Sequence, residues 1–521
     1  MRIPAEPRAR RAARALLGGL ACVLAACAPD RSEGGSSAPT SAIARPRGVL
    51  LIAVDGLRAD RLSTHGYDRT TTPAIARLAA EGASFQQCFS TAPWLLPAHV
   101  SLLTGCDPNI ARRVIDKNVE SEIDRTWYVP AKAPHLAVEL LTHSFATAAF
   151  VDHPWIEPRL GIAAGFERFD TVQTAAVGAD ADARSGPPLG LDGRSDALLQ
   201  WLRSIGRERP WFAYVHTHEL ERIWAAPDPL RDTLFEPRPG RTQVPPVANV
   251  EPVFFAIPPS RWDGGTHSLG EYEARYDGAL HVLDRKLERL FDSLRAEERW
   301  EDTLVVLVGT HGLQFGEAGL FLDHGALSVF DLRVPWILRA PRASELQQAR
   351  NYEGVCSTVD VAPTVLALCD VPPRSGMHGF SALAQLRGSD DPLRPFAIAT
   401  GGLQQGFALF GSAWCFEALY PGAVASPNLA TSWYGEQRAR GTSPGYTERF
   451  YNRFDSPFPG VELDVQPPNE ISTRMRTFAT RWVVHTDLLR RVMNPTAVGD
   501  VPVSAADIEL LKQLGYLGED W

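Results

Sequence analysis

Three apolar runs end on side chains that can do chemistry. Gly48-Val49-Leu50-Leu51-Ile52-Ala53-Val54 runs into Asp55, Trp211 to His216 opens onto Thr217-His218-Glu219, and Thr303 to Val308 leads to Thr310-His311-Gly312. His99 and His324 stand in two further stretches. Carboxylates and imidazoles at strand ends are the groups that metal sites and proton carriers use. Asp55 has two open roles, a ligand position or a cap of the following turn. His311 and His324 have two as well, since single histidines often serve as hydrogen-bonded structural residues. His216 and His218 lie two apart and share a face only if the strand continues past them.

The elements that must position these residues alternate. The run before Asp55 has no polar interruption, as suits a strand covered on both faces. Phe145 to Val151, Trp211 to His216, Thr303 to Val308 and Val334 to Leu338 read as further buried strands. Thr72-Pro73 opens a helix that Gly82 stops. Tyr272 to Leu294 reads as a long amphipathic helix with Leu283, Leu287, Leu290 and Leu294 on one stripe. Val361 to Leu368 reads as a short helix. The alternation predicts an α/β fold, an open and largely parallel sheet with its site at the carboxyl ends of the strands. The pattern weakens from about residue 396, which predicts a small C-terminal subdomain over 396–521 beside an α/β domain over 47–395. Within it, Arg481 to Val484 reads as a strand and Ala505 to Leu514 as a helix.

The first residues predict export. Arg2, Arg8, Arg10, Arg11 and Arg14 form a basic region before the uncharged stretch Ala15 to Ala26, which is too short for a membrane span and the right length for a signal-peptide core. Leu24-Ala25-Ala26-Cys27 resembles the lipobox of bacterial lipoproteins, in which the Cys is lipidated and becomes the first residue. The expected processing is a signal peptide over 1–26 and a Ser, Gly, Ala and Pro-rich tether over 27–46. The expected location is the cell envelope, lipid-anchored to a bacterial membrane, with the body periplasmic or surface-exposed. The whole chain of 521 residues carries 61 acids against 52 bases, a net charge of −9, which argues against a nucleic-acid partner. Cys88, Cys106, Cys356, Cys369 and Cys415 show no CxxC spacing and read as buried small apolar residues.

Several segments together resemble the sulfatases of the alkaline phosphatase superfamily. They are Val54-Asp55-Gly56-Leu57-Arg58-Ala59-Asp60, Thr72-Pro73 through Gly82 and Phe85, Pro93 through Gly105, Val305 to Gly312 with Phe315-Gly316-Glu317 and His324-Gly325, Val359 to Thr364, and Leu514 to Gly518. The order and spacing of the segments carry the resemblance. It implies an alkaline-phosphatase-like α/β sheet flanked by helices. It also implies a site in which carboxylates hold Ca²⁺ or Mg²⁺ beside a nucleophile at a strand-to-helix turn.

Position by position, this chain departs from that pattern. Asp55 matches the first metal Asp, and Gly56 stands where many members have a second ligand. Leu95 falls at the nucleophile position, and no hydroxyl or thiol occurs from Ala92 to Val100. Thr310 replaces the Asp of the family's Asp-His-Gly, while His311, His99 and His324 are kept. Leu220-Glu221 stands where relatives often continue to a Pro-His pair. The expected site is therefore metal positions Asp55, Thr310 and His311 with one ligand lost, and catalytic positions Leu95, His99 and His324 with the nucleophile lost. No cation is expected at full occupancy.

The expected function is a sulfatase-like lipoprotein without ester hydrolysis, binding a partner or an anionic or sulfated ligand. Two alternatives stand beside it: an active sulfuric or phosphoric ester hydrolase with a substituted nucleophile, which would hold Ca²⁺ or Mg²⁺, and a structural envelope lipoprotein.

Overall fold

Eight strands form the central sheet of this computed structural model. The residues described are 45–111, 129–172, 190–223, 228–247, 267–317, 320–341, 349–401, 406–419, 447–452 and 467–493, with 257, 262, 265 and 346 singly. The leader, Cys27 and its tether up to residue 44, and the segments Ala505 to Leu514 and Leu514 to Gly518, lie outside them. Among the described residues no helix is long and apolar enough to cross a membrane.

The strands of this sheet are β1 (Gly48–Val54), β2 (Ala83–Phe89), β3 (Ala146–Phe150), β4 (Arg168–Asp170), β5 (Trp211–Thr217), β6 (Thr303–Gly309), β9 (Arg333–Arg339) and β10 (Arg350–Ser357). β7 (Gln314–Phe315) and β8 (Phe321–Asp323) form a separate two-stranded ribbon. Across the large sheet the order is β10-β2-β9-β6-β1-β5-β3-β4. β1 lies at the centre, parallel to both β5 and β6, and every residue of it is buried.

The sheet is largely parallel, as expected, but mixed: β9 runs antiparallel to both β2 and β6, while the other pairings are parallel. Pro335 sits inside β9 without an N–H to donate, a position the middle of a sheet rarely tolerates. The ladder shifts register opposite it, between Phe85 and Cys88, and the Arg333 guanidinium donates to the Gln86 carbonyl there at 3.1 Å. The bulge gives Pro335 a place where no ladder bond is required. β2 itself, with Gln86 and Gln87 in its middle, lacks the apolar run that marked the other strands.

Helices cover both faces. They are α1 (Pro73–Ala80), α2 (Leu95–Thr104), α3 (Leu136–Thr142), α4 (Gly190–Ile205), α5 (Leu269–Ala296) and α6 (Val361–Leu368). One apolar cluster joins α2, α3 and α6 to one face of the sheet, and another joins α1, α4 and α5 to the other. Ser268 and Glu271 close a capping box that starts α5. From that helix Asp284 accepts hydrogen bonds from Ala74 N and Ile75 N at 2.8 and 2.9 Å and so caps α1.

Beyond the large sheet, four antiparallel strands, Ala397–Thr400, Gly406–Phe410, Trp414–Leu419 and Thr447–Asn452, form a second sheet. Its residues Ala397, Ala399, Ala408, Phe410 and Cys415 pack with Phe89 and Val355 of the large sheet. Arg481 to Val484 is not a strand, since it lies inside helix α7 (Asn469–Met493). The β-branched pair Val483-Val484 fits a strand locally, but the apolar positions of the longer segment repeat with a helical period. Cys88, Cys106, Cys356, Cys369 and Cys415 are buried, and none of them forms a disulfide.

Candidate functional site

The carboxyl ends of β1, β5 and β6 bring the site together. Each strand extends its ladder by one residue: Asp55 N donates to Thr217 O and Thr310 N to Val54 O, both at 3.0 Å. Asp55 and Thr310 therefore face each other across the centre of the sheet. The turn after Asp55 is held from α5, where Tyr276 Oη donates to Gly56 O at 2.7 Å and accepts from Arg58 N at 3.1 Å. Arg58 is buried and pairs with Asp60 and Glu317, each at 2.7 Å.

Asp55 is buried and ringed by donors. The Thr310 hydroxyl donates to Oδ1, His99 Nε2 stands 3.3 Å from Oδ1, and His216 Nε2 stands 2.8 Å from Oδ2. The neighbours fix the tautomers. Asp152 N–H donates to His216 Nδ1 at 3.3 Å, so His216 carries its proton on Nε2 and gives it to Asp55. On His99 the Tyr214 hydroxyl meets Nδ1, which leaves Nε2–H facing the carboxylate. Burial works to raise the Asp55 carboxyl, but His216 and His99 outweigh it and hold it well below the usual carboxylate range. Burial in turn holds His99 down to about 4, so it is a neutral imidazole near pH 7.

A second group stands beside the first. His311 and His324 each approach Glu221 Oε1 with Nε2, both at 3.4 Å. His311 Nδ1 donates to Gly312 O and His324 Nδ1 to Pro93 O, each at 3.0 Å. Glu221 comes from the short 3-10 turn Glu219–Glu221 after β5, anchored by buried Leu220. Gly312 holds His311 in place because its chain passes against Phe330 O, where a Cβ would lie 1.9 Å away. Asp331 fixes the His324 loop by accepting from Gly325 N and Ala326 N at 3.1 and 2.7 Å, and burial pushes its carboxyl up to about 7.

Leu95 opens α2 and packs into the apolar cluster on that face of the sheet. His99, one turn further, reaches Asp55, and Pro93, two residues earlier, receives His324. The position that the resemblance assigns to the nucleophile thus offers only a buried alkyl chain. The Thr91 hydroxyl donates to the Ser101 hydroxyl at 2.8 Å, and both are buried.

His216 and His218 meet different partners: His216 serves Asp55, while His218 Nδ1 lies 3.5 Å from Asp152. The reading of the sequence missed Glu221 and the Tyr214–His99 link. The signals for Glu221 were its position just past a buried strand and its place where the resemblance expects a Pro-His pair; its approach to a glycine is visible only in the fold. Gly56 has φ +70, and a Cβ there would lie 3.2 Å from Glu221 Cγ. The chain therefore places the Glu221 carboxylate next to Gly56, the position to which the resemblance assigns a second ligand.

The donor set does not fit a Ca²⁺ or Mg²⁺ ion held at Asp55. Hard cations of this kind take several oxygen ligands. Asp55 brings the one carboxylate left at the matching positions, and its oxygens already accept from a hydroxyl and two imidazoles.

A central sheet flanked by helices, with its site at the carboxyl ends of the middle strands, is an architecture this chain shares with solved sulfatases and phosphonate hydrolases. A 2-O GAG sulfatase superposes with a TM-score of 0.61 at 16% identity, over 85% of this chain and 93% of that one. The phosphonate monoester hydrolase of Agrobacterium radiobacter superposes with a TM-score of 0.58 at 17% identity, over 86% of this chain and 96% of that one. The sulfatase family model matches residues 47–371, and the chain belongs to the sulfatase family. A Formosa agariphila sulfatase is 22% identical over 404 residues, 68% of this chain and 75% of that protein. A Caenorhabditis elegans homologue of extracellular sulfatase is 32% identical over 104 residues, 20% of this chain but only 14% of its own length.

Proposed function

We propose that this sulfatase-family protein does not hydrolyse sulfate or phosphate esters by the family's covalent route, and that it acts by binding a partner or an anionic ligand. The observation that carries this reading is the ring of donors on Asp55. Where a cation would sit between two carboxylates, a Thr310 hydroxyl closes onto Asp55 instead. Leu95 at the head of α2 supports it from the other side, since an alkyl chain cannot attack sulfur or phosphorus. A missing nucleophile and a missing charge each remove several kcal/mol of barrier lowering, and ~1.4 kcal/mol is already tenfold in rate.

The test is turnover of a generic aryl sulfate and a phosphate diester by the full-length protein. Background rates are expected. Turnover that a chelator abolishes overturns the reading. Leu95→Thr combined with Thr310→Asp, supplied with Ca²⁺, is the matching gain-of-function variant.

A second reading, a hydrolase with a substituted nucleophile, has one observation in its favour: the convergence of Glu221, His311 and His324. The protein is further proposed to be tethered to the envelope through Cys27. Cys27→Ser should then leave the membrane fraction, and a variant that still sediments with membranes excludes the tether.

A further inference from the structure

We infer that Glu221, His311 and His324 form a binding site for a borderline divalent metal of the zinc class, displaced from the position at which relatives hold their cation. The three ligand atoms lie within 4.8 Å of one another. Their chemistry differs from that of the neighbouring group on Asp55. There, each polar hydrogen points at an oxygen, so the group is a closed hydrogen-bond ring. Here the backbone has taken the donors away. Gly312 O and Pro93 O can only accept, so Nδ1 of each imidazole must carry the proton. Nε2 of His311 and of His324 then each present a lone pair toward the same carboxylate oxygen.

Three acceptors meeting at one point repel one another unless something positive lies between them. His311 Nε2 is fully buried and has no hydrogen-bond partner. An unpaired acceptor in that position is costly unless a cation occupies the gap. Imidazoles whose second nitrogen is tied to a backbone carbonyl are the usual form of histidine metal ligands, because that bond fixes both tautomer and ring orientation.

The spacing admits an ion of this class, and the donor types select it. Two ligand atoms each about 2.0–2.1 Å from a tetrahedral zinc stand about 3.4 Å apart. Both carboxylate–imidazole separations are 3.4 Å. Two imidazoles and one carboxylate suit zinc and its first-row neighbours, whereas calcium and magnesium prefer all-oxygen shells. Asp55 stays outside the set: its Oδ1 is 4.0 Å from His311 Nε2 and already holds the Thr310 hydroxyl and faces His99. Three protein ligands leave a tetrahedral ion one position for water or for an oxyanion from solution.

The experiment is titration of the chelator-stripped full-length protein with Zn²⁺ by calorimetry, and with Co²⁺ by visible absorption. One equivalent per chain and the intense d–d bands of tetrahedral Co²⁺ are expected, with no displacement by millimolar Ca²⁺ or Mg²⁺. Glu221→Gln and His324→Ala should each weaken binding by at least about 100-fold, the upper end of what even a supporting residue is worth. Both lie at the edge of the site, so they keep the test decisive if His311→Ala fails to fold. Absence of stoichiometric Co²⁺ binding overturns the inference, as does binding that survives Glu221→Gln and His324→Ala. Binding that Asp55→Asn abolishes while Glu221→Gln spares it places the ion at the inherited position and overturns it equally.

Discussion

Thr310→Asp returns to the site the carboxylate that the sulfatase pattern calls for, and its effect can be worked out in advance. In this chain the Thr310 hydroxyl donates to Asp55 Oδ1, and both residues are buried. The substitution replaces a donor by a second anion against the first. Two like charges about 4 Å apart repel by about 4 kcal/mol at an effective dielectric of 20. A further ~1 kcal/mol is lost with the hydrogen bond. Without metal the variant should therefore unfold about 4–5 kcal/mol more easily than the parent, a large part of a typical stability. A divalent cation that bridges the two carboxylates should reverse much of this, by about 2.7 kcal/mol at a hundred times its dissociation constant. The assay is urea unfolding of parent and variant, each in chelator and in millimolar Ca²⁺. The parent should not respond to Ca²⁺. A variant as stable as the parent in chelator, or one indifferent to Ca²⁺, refutes the view that Thr310 stands in for a lost metal ligand.

Three further outcomes follow from the packing. His135 caps α3 by accepting from Ala137 N at 3.2 Å, its Nε2 donates to Ile162 O at 3.1 Å, and burial holds it down to about 4 from 6.5. Unfolded His135 takes up a proton that the folded form resists, so its contribution is complete above pH 6.5 and is lost as pH falls toward 4, by about 2 kcal/mol at pH 5. His135→Asn keeps a cap without the titration, so its urea midpoint should drop less between pH 7 and pH 5; an equal drop in both proteins excludes the assignment. Gly82→Ala should cost about 3 kcal/mol in urea unfolding, because the new Cβ would lie 2.0 Å from Leu338 O, a backbone atom that cannot move aside. Asp284→Ala removes both acceptors at the start of α1 and should cost about 2 kcal/mol; a loss below 0.5 kcal/mol would mean that water caps the helix equally well.

The sequence by itself determined the layered α/β architecture, because the strands before Asp55, His216 and Thr310 are unbroken apolar runs and such runs must be buried on both faces. Residue type likewise puts Leu95 and Thr310 where the resemblance expects a nucleophile and a metal carboxylate. Local pattern failed at β2, whose glutamines hide a buried strand, and at Val483-Val484, whose branching points to a strand inside a helix. The direction of β9 could not be read locally, because orientation depends on which strands it meets and on the bulge that admits Pro335.

What the surviving polar groups do depends on how the fold aims them at one another. Asp55, His99 and His216 come from positions 44 and 161 residues apart along the chain, and their roles depend on which atom of each faces which. Hydrogen-bond direction separates a closed ring on Asp55 from an open set of acceptors on Glu221, and direction is a property of three-dimensional placement. Glu221 shows this most directly. Its place in the sequence says that it follows a strand and stands where a Pro-His pair was expected, while the fold sets it against a glycine that leaves it room and beside two imidazoles whose Nδ1 protons the backbone has already claimed.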